Sequence, residues 1–391
     1  MKVPILLLFL VTLVLCGCQS TDLAPVRSGS LRFEDDEQRL WTGAQKEQRV
    51  LDRSGLVYED PALEAYLTGV ARNLQPREVV DLIPFSVRVI RDRHLNAFAF
   101  PNGRIYLHTG ILARMDNEAQ LAALLAHEMT HCTHRHAVKN LRDIKNKTAF
   151  LAALQSATVG MGAIGEMAGL LGTLGTVASV TGYSRENEAE ADTEGFKLVV
   201  RAGYDPKESK KLFEHLRQEV LDEKKKEPFF FGSHPRLQER IDNYEKLIRE
   251  TGGKGGVTRT EEFLRNIKDV LLVNAFLDLK AGRFETAMKG AEKYLAIAPQ
   301  DARAYYLAGE IFRQKGGDGE MEKGLAHYER AISLAPGYPE PYRGAGLIYL
   351  KRNDRPRAKS MLESYLLRAP NAADRKHIEE YVRECSAKGE P

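Results

Sequence analysis

The sequence predicts an α+β protein that is mostly α: a domain with a small β-sheet, followed by an α-solenoid. Two observations predict the first part. Helical patterns recur, one of them introduced by Asp60 as a cap and Pro61 in the first turn. Two stretches, "FSVRVIRD" and "NAFAFPNGRIYLHTGIL", alternate β-branched and aromatic residues around a turn at Pro101-Asn102-Gly103. A repeat of about 34 residues near the C-terminus predicts the solenoid.

The N-terminus "MKVPILLLFLVTLVLCGCQS" has the pattern of a secretory signal. Its apolar run is too short to span a bilayer comfortably, and small residues and cysteines follow it. The quartet ending at Cys18 looks like a bacterial lipobox, so we expect a signal peptide over 1–17, lipid on Cys18 and a tether over 18–32. Gln19 favours the outer membrane over the inner one. The alternative is a plain signal peptide cleaved elsewhere.

Composition restricts the partners. Among the 391 residues, 57 Lys and Arg face 54 Asp and Glu, so the net charge of +3 gives little attraction to nucleic acid. Beyond the signal, Cys132 and Cys385 remain, which leaves a single disulfide possible. We expect Cys132 to be a buried packing residue, since it points off the face that His127 and His131 share.

An apolar segment runs from Phe150 to Tyr183 with Glu166 as its only charged residue. Seven glycines between Gly160 and Gly182 interrupt any helix there. We expect helices packed over the active site, as a lid. Contact with a membrane surface and a true membrane span are the alternatives.

The C-terminal part repeats itself. Three similar phrases, "AEKYLAIAP", "YERAISLAP" and "ESYLLRAP", end in prolines spaced 37 and 34 residues apart, and 34 is the tetratricopeptide period. Alignment on the prolines puts Ala287, Gly324 and Ala358 where paired helices touch. We expect three repeats and a polar capping helix at about 372–384, with an ordinary helical bundle as the alternative. The glycine-rich "TGGKGG" predicts the boundaries: one domain over 33–250, a linker over 251–260 and repeats over 261–391.

The stretch "ALLAHEMTHCTHRH" contains four of the ten histidines. His127 and His131 are four residues apart, so on a helix they share one face and can bind one ion. Glu128 projects to the edge of that face, where a carboxylate can act as general base. The preceding "AQLAALLA" predicts a buried helix, and burying histidines and a glutamate without a function is costly.

A third ligand is needed, and "YSRENEAEADTEG" offers carboxylates on a helix. Glu188 and Asp192 are four residues apart and share a face, so one can bind metal while the other orients a histidine. A solvated acidic face is the alternative.

Five phrases occur in one order: "VYEDPALEAYLTGV", "NAFAFPNGRIYLHTGIL", "HEMTHCTHRH", "YSRENEAEAD" and "SHPRLQERI". Together they resemble the HExxH metallopeptidase family that includes the CAAX prenyl proteases and HtpX, and most of all its periplasmic branch with trailing tetratricopeptide repeats. The resemblance implies a gluzincin-type domain with one Zn²⁺ per chain. It implies these roles: His127, His131 and Glu188 as zinc ligands, Glu128 as base, Asp192, His136 and Arg240 as supporting residues, and His234 as a fourth ligand or regulator. The strand Asn96, Ala97 and Phe98 would bind an extended substrate by its edge. His134 has no counterpart and is expected to be a polar surface residue.

The resemblance further implies a zinc endopeptidase of the bacterial cell envelope, anchored by lipid in the periplasm. Its substrates would be unfolded or misassembled proteins, and its repeats would dock clients or the outer-membrane assembly machinery. One alternative is a chaperone or adaptor whose proteolysis is secondary or held off by His234. Another is an intramembrane protease, if Phe150 to Tyr183 spans the bilayer.

Overall fold

The structure is a computed structural model and describes residues 20–27, 33–158, 183–222, 237–252 and 254–387. Helices dominate these ranges, with one small sheet, so the predicted α+β, mostly helical fold is confirmed. The chain divides after Asn266 into two compact units, Met1–Asn266 and Ile267–Pro391.

The first unit contains the sheet and the histidine-rich helix. Its described elements are α1 (Asp35–Asp52), α2 (Pro61–Leu74), α3 (Arg77–Leu82), β1 (Ser86–Ile90), β2 (Ala97–Ala99), β3 (Arg104–His108), α4 (Thr109–Arg114), α5 (Glu118–Thr133), α6 (His136–Thr158), α7 (Arg185–Arg201), α8 (Lys207–Asp222), α9 (Leu237–Glu250) and α10 (Thr260–Asn266). Helix α2 begins as predicted: the Asp60 carboxylate accepts hydrogen bonds from two backbone amides, and Pro61 occupies the first turn.

The sheet has the strand order β1-β3-β2, which places β2 at an edge. Strands β1 and β3 are parallel, whereas β2 and β3 form the predicted antiparallel hairpin. Its turn requires Gly103, because φ there is +87° and a Cβ would lie 2.5 Å from Ile83 Cγ2. Helix α5 packs against β2 and carries the histidines past this edge.

The described part of the predicted tether, residues 20–27, is packed against the first unit. Leu23 and Val26 are buried, and the Val26 amide donates to the Thr133 carbonyl at the end of α5. The tether predicted over 18–32 is therefore not a loose spacer along this part, because its apolar side chains find a core to enter. Cys18 lies outside the described residues.

Helices α5 and α6 are joined at Arg135, which has a φ of +59°. Such a backbone is uncommon for a residue with a side chain and costs on the order of 1 kcal/mol or more. A buried pair of hydrogen bonds from Arg135 to Glu37 on α1 holds this conformation. His136 follows this turn directly and is the first residue of α6.

The predicted linker also packs against the first unit. The Thr258 carbonyl accepts hydrogen bonds from the amides of Glu118 and Ala119, the first two residues of α5. Arg259 forms an ion pair with Glu118 at 3.0 Å, and Phe263 on α10 is fully buried. The last part of the linker predicted over 251–260 thus caps the start of the histidine helix.

The second unit is a series of helix pairs. Its described helices are α11 (Lys268–Lys280), α12 (Phe284–Ile297), α13 (Ala302–Lys315), α14 (Asp318–Leu334), α15 (Glu340–Lys351), α16 (Arg355–Arg368) and α17 (Arg375–Ala387). The small residues predicted at helix contacts, Ala287, Gly324 and Ala358, are all buried. Helix α17 is the predicted capping helix, displaced by three residues.

No helix in the described parts of the chain is long and apolar enough to cross a bilayer. Most of Phe150–Tyr183 lies outside these parts: α6 is described to Thr158 and the chain again from Tyr183. The lid expected there stays a prediction.

Candidate metal centre

Helix α5 presents the two histidines of the HExxH pattern. Asn117 caps it by accepting a hydrogen bond from the Gln120 amide, and every residue of the helix is buried. Because His127 and His131 are one turn apart, their Nε2 atoms approach to 3.1 Å. Both imidazoles are almost inaccessible, at 0% and 2% exposure.

Helix α7 brings a carboxylate to the same point. Glu188 Oε1 lies 3.3 Å from His131 Nε2, and Glu188 Oε2 lies 3.6 Å from His127 Nε2. The two helices approach closely because Gly195 faces α5, where a Cβ would lie 3.0 Å from the His127 amide nitrogen. The acidic stretch is therefore not a fully solvated face, since Glu188 and Asp192 are both buried.

These three residues form a group that can hold a metal ion, and the search that found it covered the described residues alone. Zinc bonds nitrogen and oxygen at about 2.0–2.2 Å, so neighbouring ligands of a tetrahedral ion lie roughly 3.3 Å apart. The observed separations of 3.1, 3.3 and 3.6 Å fit that requirement. Two imidazoles and one carboxylate also leave a fourth position for water or substrate.

The His127 imidazole is supported by charged residues. Its Nδ1 lies 3.0 Å from Asp192 Oδ1, the acceptor expected when Nε2 faces a metal. Asp192 also accepts hydrogen bonds from Arg240, at 2.6 Å, and from the Tyr244 hydroxyl, at 2.9 Å, both on α9. The Arg240 guanidinium lies in addition over the Phe213 ring, 4.1 Å from its centroid.

The charges around His127 favour metal binding. Burial, followed by the nearby Arg240 charge, lowers the pKa of His127 to about 3, so the imidazole is neutral at neutral pH. Burial alone would raise the pKa of Asp192, but the Arg240 charge and the His127 hydrogen bond outweigh it, and the net shift is downward. Asp192 is therefore a carboxylate that accepts hydrogen bonds.

The His131 imidazole is supported differently, by rings. Its Nδ1 lies 2.9 Å from His136 Nδ1, and His136 Nε2 lies 2.9 Å from Glu190 Oε2. The Tyr183 ring stacks on His131, with centroids 3.8 Å apart and an angle of 13° between planes. On its Nδ1 side this ligand is linked to the Glu190 carboxylate through His136.

Glu128 lies next to His127 in the chain and is 1% exposed. Burial raises the pKa of Tyr183 well above its ordinary value, and the nearby carboxylates of Glu128 and Glu188 add to that shift. Glu128 is thus within electrostatic range of the ring that covers His131.

Several predicted residues lie away from the ligands. His134 is buried and contacts the Thr133 hydroxyl, so the expectation of a surface residue was wrong; the packing of residues 20–27 over the end of α5 accounts for its burial. Cys132 is buried as expected, its thiol donates to the Phe100 carbonyl, and burial raises its pKa. Cys132 and Cys385 are free thiols, so the disulfide that the sequence left open is not formed. His234 lies outside the described residues.

Four neighbours of the ligands were not singled out from the sequence: Tyr183, Glu190, Tyr244 and Gly195. Tyr244 could have been found, because it lies four residues after Arg240 on one helical face. Tyr183 is the first residue of the acidic motif, but nothing in its own type indicates stacking.

Two imidazoles and a carboxylate from packed helices, with a buried glutamate beside the first imidazole, define a metallopeptidase centre of the HExxH class. Residues 58–248 match the model of peptidase family M48. This part of the chain is a peptidase family M48 domain, which confirms the resemblance.

Curated relatives carry related names. The beta-barrel assembly-enhancing protease of Escherichia coli (strain K12) is 32% identical over 203 residues, which are 49% of this chain and 40% of the relative. The mitochondrial metalloendopeptidase OMA1 of Schizosaccharomyces pombe is 29% identical over 219 residues, 55% of this chain and 62% of the relative. The matched part thus spans less than two thirds of either relative.

Among solved structures, the complex of the TPR2AB domain of yeast Sti1 with pHSP90 is matched with a TM-score of 0.29 and 12% identity, over 69% of this chain and 93% of that one. The repeat architecture described above depends on the helix pairs of the second unit and not on this likeness.

Proposed function

We propose that the chain is a zinc-dependent endopeptidase of the bacterial cell envelope that degrades misfolded or misassembled outer-membrane proteins. The observation that carries the proposal is the convergence of His127, His131 and Glu188 beside the buried carboxylate of Glu128. The names of the curated relatives support an endopeptidase and, for the bacterial one, a connection with β-barrel assembly.

In this proposal His127, His131 and Glu188 hold one Zn²⁺. Zinc makes a water molecule more acidic and polarises a carbonyl, which is the chemistry that peptide hydrolysis needs. Glu128 takes the proton of the attacking water and returns it to the leaving amine. Asp192 and Arg240 keep the His127 imidazole oriented with Nε2 toward the ion.

Strand β2 is the proposed substrate-binding edge. The Phe100 amide donates to the Arg104 carbonyl and the His108 amide to the Asn96 carbonyl, so alternate residues of this strand bond to β3. The main-chain groups of Asn96 and Phe98 are therefore used within the sheet. Those of Ala97 and Ala99 point to the outer edge, which moves the expected substrate contacts to these two alanines.

This edge is closed to solvent. Ala97 is 0% and Ala99 7% exposed, and the proposed ligands and base are each at most 5% exposed. An extended substrate can pair with β2 and reach Glu128 only after the surroundings of the strand rearrange. The burial favours a second candidate function, a chaperone or adaptor in which hydrolysis is held off until a partner opens the site.

The remaining parts of the proposal concern location and docking. Lipid on Cys18 would anchor the protein in the periplasm, to the outer membrane, and the repeats would bind clients or the assembly machinery. His234, as a fourth ligand or regulator, would hold hydrolysis off. His234→Ala should then raise the cleavage rate, and an unchanged or lower rate contradicts that role.

The main test is cleavage of unfolded casein by purified protein with and without a zinc chelator, and by Glu128→Gln. We expect both treatments to abolish cleavage, while Glu194→Gln, an exchange of the same type on α7, keeps it. Undiminished cleavage by pure Glu128→Gln protein refutes the mechanism. Absence of cleavage by the wild type, together with suppression of casein aggregation, identifies the adaptor function instead.

A further inference from the structure

His131 stands at the inner end of a chain of three side chains that reaches the protein surface. Its Nε2 faces His127 and Glu188, while its Nδ1 lies 2.9 Å from His136 Nδ1. His136 Nε2 in turn lies 2.9 Å from Glu190 Oε2. The His136 side chain is fully buried, whereas that of Glu190 is 39% exposed.

The two short contacts determine where the protons are. A nitrogen that binds a metal ion carries no proton, so neutral His131 bears its proton on Nδ1 and donates it to His136 Nδ1. His136 then bears its own proton on Nε2 and donates it to Glu190. The opposite order would direct two N–H groups or two lone pairs at each other at one of the contacts.

We propose that Glu190 is a positioning residue for the metal ligand His131 and that it acts through His136. The proposal rests on the zinc site proposed above. Glu190 is the acceptor that fixes the tautomer of His136, and His136 thereby offers His131 a lone pair at Nδ1. This holds the His131 ring in the orientation that directs Nε2 at the ion and makes that nitrogen a stronger donor.

Other contacts of these residues agree with this role. Lys139, on the first turn of α6, lies 3.8 Å from the same Glu190 oxygen and keeps the carboxylate facing His136. The neighbouring acid Glu194, one turn further along α7, pairs with Lys197 instead, and within the described ranges no hydrogen bond joins it to a proposed ligand or to His136. Side chains of Glu190 and Glu194 are similarly exposed, at 39% and 33%.

That similarity provides a matched pair of variants, Glu190→Ala and Glu194→Ala. Each full-length protein is stripped of metal and titrated with Zn²⁺ against a chromophoric chelator, and the thermal unfolding of the metal-free form is recorded. We expect Glu190→Ala to weaken zinc binding about 10-fold, at the low end of the effect of partners that contact ligands directly. Glu190→Gln should lose less zinc affinity, because its amide oxygen still accepts a hydrogen bond from His136 Nε2.

The outcomes separate the claims. No zinc binding by the wild type refutes the zinc site itself. Zinc binding by the wild type with equal affinities for Glu190→Ala and Glu194→Ala refutes only the role of Glu190. A loss of affinity accompanied by an equal loss of metal-free stability also refutes it, since Glu190 would then be merely structural.

Two further measurements test the route through His136. In a double-mutant cycle with His136→Asn, removal of Glu190 should cost no additional affinity, whereas additive losses contradict the route. Nitrogen NMR of the zinc-loaded wild type should show His136 protonated at Nε2 and His131 at Nδ1. Protonation of His136 at Nδ1 overturns the proposal even if the His136 variant does not fold.

Discussion

The two histidines of one helix turn are supported in different ways. His127 is held by the buried charges of Asp192 and Arg240, whereas His131 is held by the rings of His136 and Tyr183. A buried ion pair requires both partners, because removal of one leaves an uncompensated charge. Ring contacts are individually weaker and tolerate substitution, so we expect substitutions on the His127 side to reduce stability and metal affinity more than those on the His131 side.

Helix α7 supplies both Asp192 and Glu190, but the other supports of the two sides come from different parts of the chain. Arg240 and Tyr244 belong to α9, at the end of the first unit. His136 begins α6, the helix that enters the apolar segment predicted as a lid, and Tyr183 is the last residue of that segment. Changes around that segment should therefore affect His131 before they affect His127.

The strongest test of the comparison is Arg240→Met. The variant leaves Asp192 charged and almost fully buried, so we expect the metal-free protein to lose about 3–5 kcal/mol of unfolding free energy. Urea unfolding measures this loss. Arg185→Met is the control, because Arg185 forms an exposed ion pair with Glu239 that contributes at most about 1 kcal/mol. Equal losses in the two variants would contradict a dominant His127 side.

Acid should destabilise the metal-free protein. Burial lowers the pKa of His127 to about 3 and that of His108 to about 4, and it also lowers the pKa of His136. The stabilisation from a neutral histidine is complete above the unfolded pKa of about 6.5 and is lost as pH falls toward the folded pKa. As pH falls from 6.5 to 4.5, protonation of His127 alone should lower the free energy of unfolding by about 2 kcal/mol.

Urea unfolding at several pH values measures how steeply the free energy of unfolding falls with pH. His108→Gln changes a histidine outside the metal centre. It should reduce the number of protons coupled to unfolding by about one and leave the contribution of His127 unchanged. A flat stability between pH 6.5 and 4.5 would show that these histidines are not buried in neutral form.

Asp192→Asn tests the hydrogen bond that orients His127. We expect zinc affinity to fall about 10-fold or more, since the amide cannot replace a carboxylate that accepts hydrogen bonds from three residues. Chelator competition measures the change. The loss should equal or exceed that of Glu190→Ala, and a smaller loss would reverse the ranking of the two sides.

The smallest expected effect is that of the stacked ring. Tyr183→Leu should reduce the metal-free stability by about 1 kcal/mol, because the aromatic contact with His131 is lost. Tyr183→Phe keeps the ring and should keep the stability. If Tyr183→Phe loses as much stability as Tyr183→Leu, the contribution comes from the hydroxyl. If neither variant loses stability, Tyr183 does not support His131.

Spacing alone predicted that His127 and His131 share a helical face, and the periodicity of the repeats predicted the contacts of Ala287 and Ala358. Both follow from the geometry of one helix or one repeat. The choice of Glu188 over its neighbours depended on the family resemblance, since several carboxylates on that helix had equal claims.

The supports of His131 were beyond the sequence. Glu190 contacts His136 across a turn at Arg135 between α5 and α6, and Arg135 bonds there to Glu37, about one hundred positions earlier. The packing of Val26 and Thr258 was also missed, because it too depends on residues distant in sequence. Polar and glycine-containing stretches predict loops, but a few apolar or carbonyl groups within these stretches contact other parts of the fold.

The burial of Ala97 and Ala99 has a kinetic consequence. If the form with an accessible β2 edge is a minor fraction of the molecules, the apparent affinity for substrate is reduced by that fraction, so an open population of about 1% weakens binding about 100-fold. A partner that binds only the open form would restore the affinity without contacting the proposed zinc ligands. Activity would then depend on the concentration of that partner, and the same catalytic residues would be nearly silent in its absence and fast in its presence.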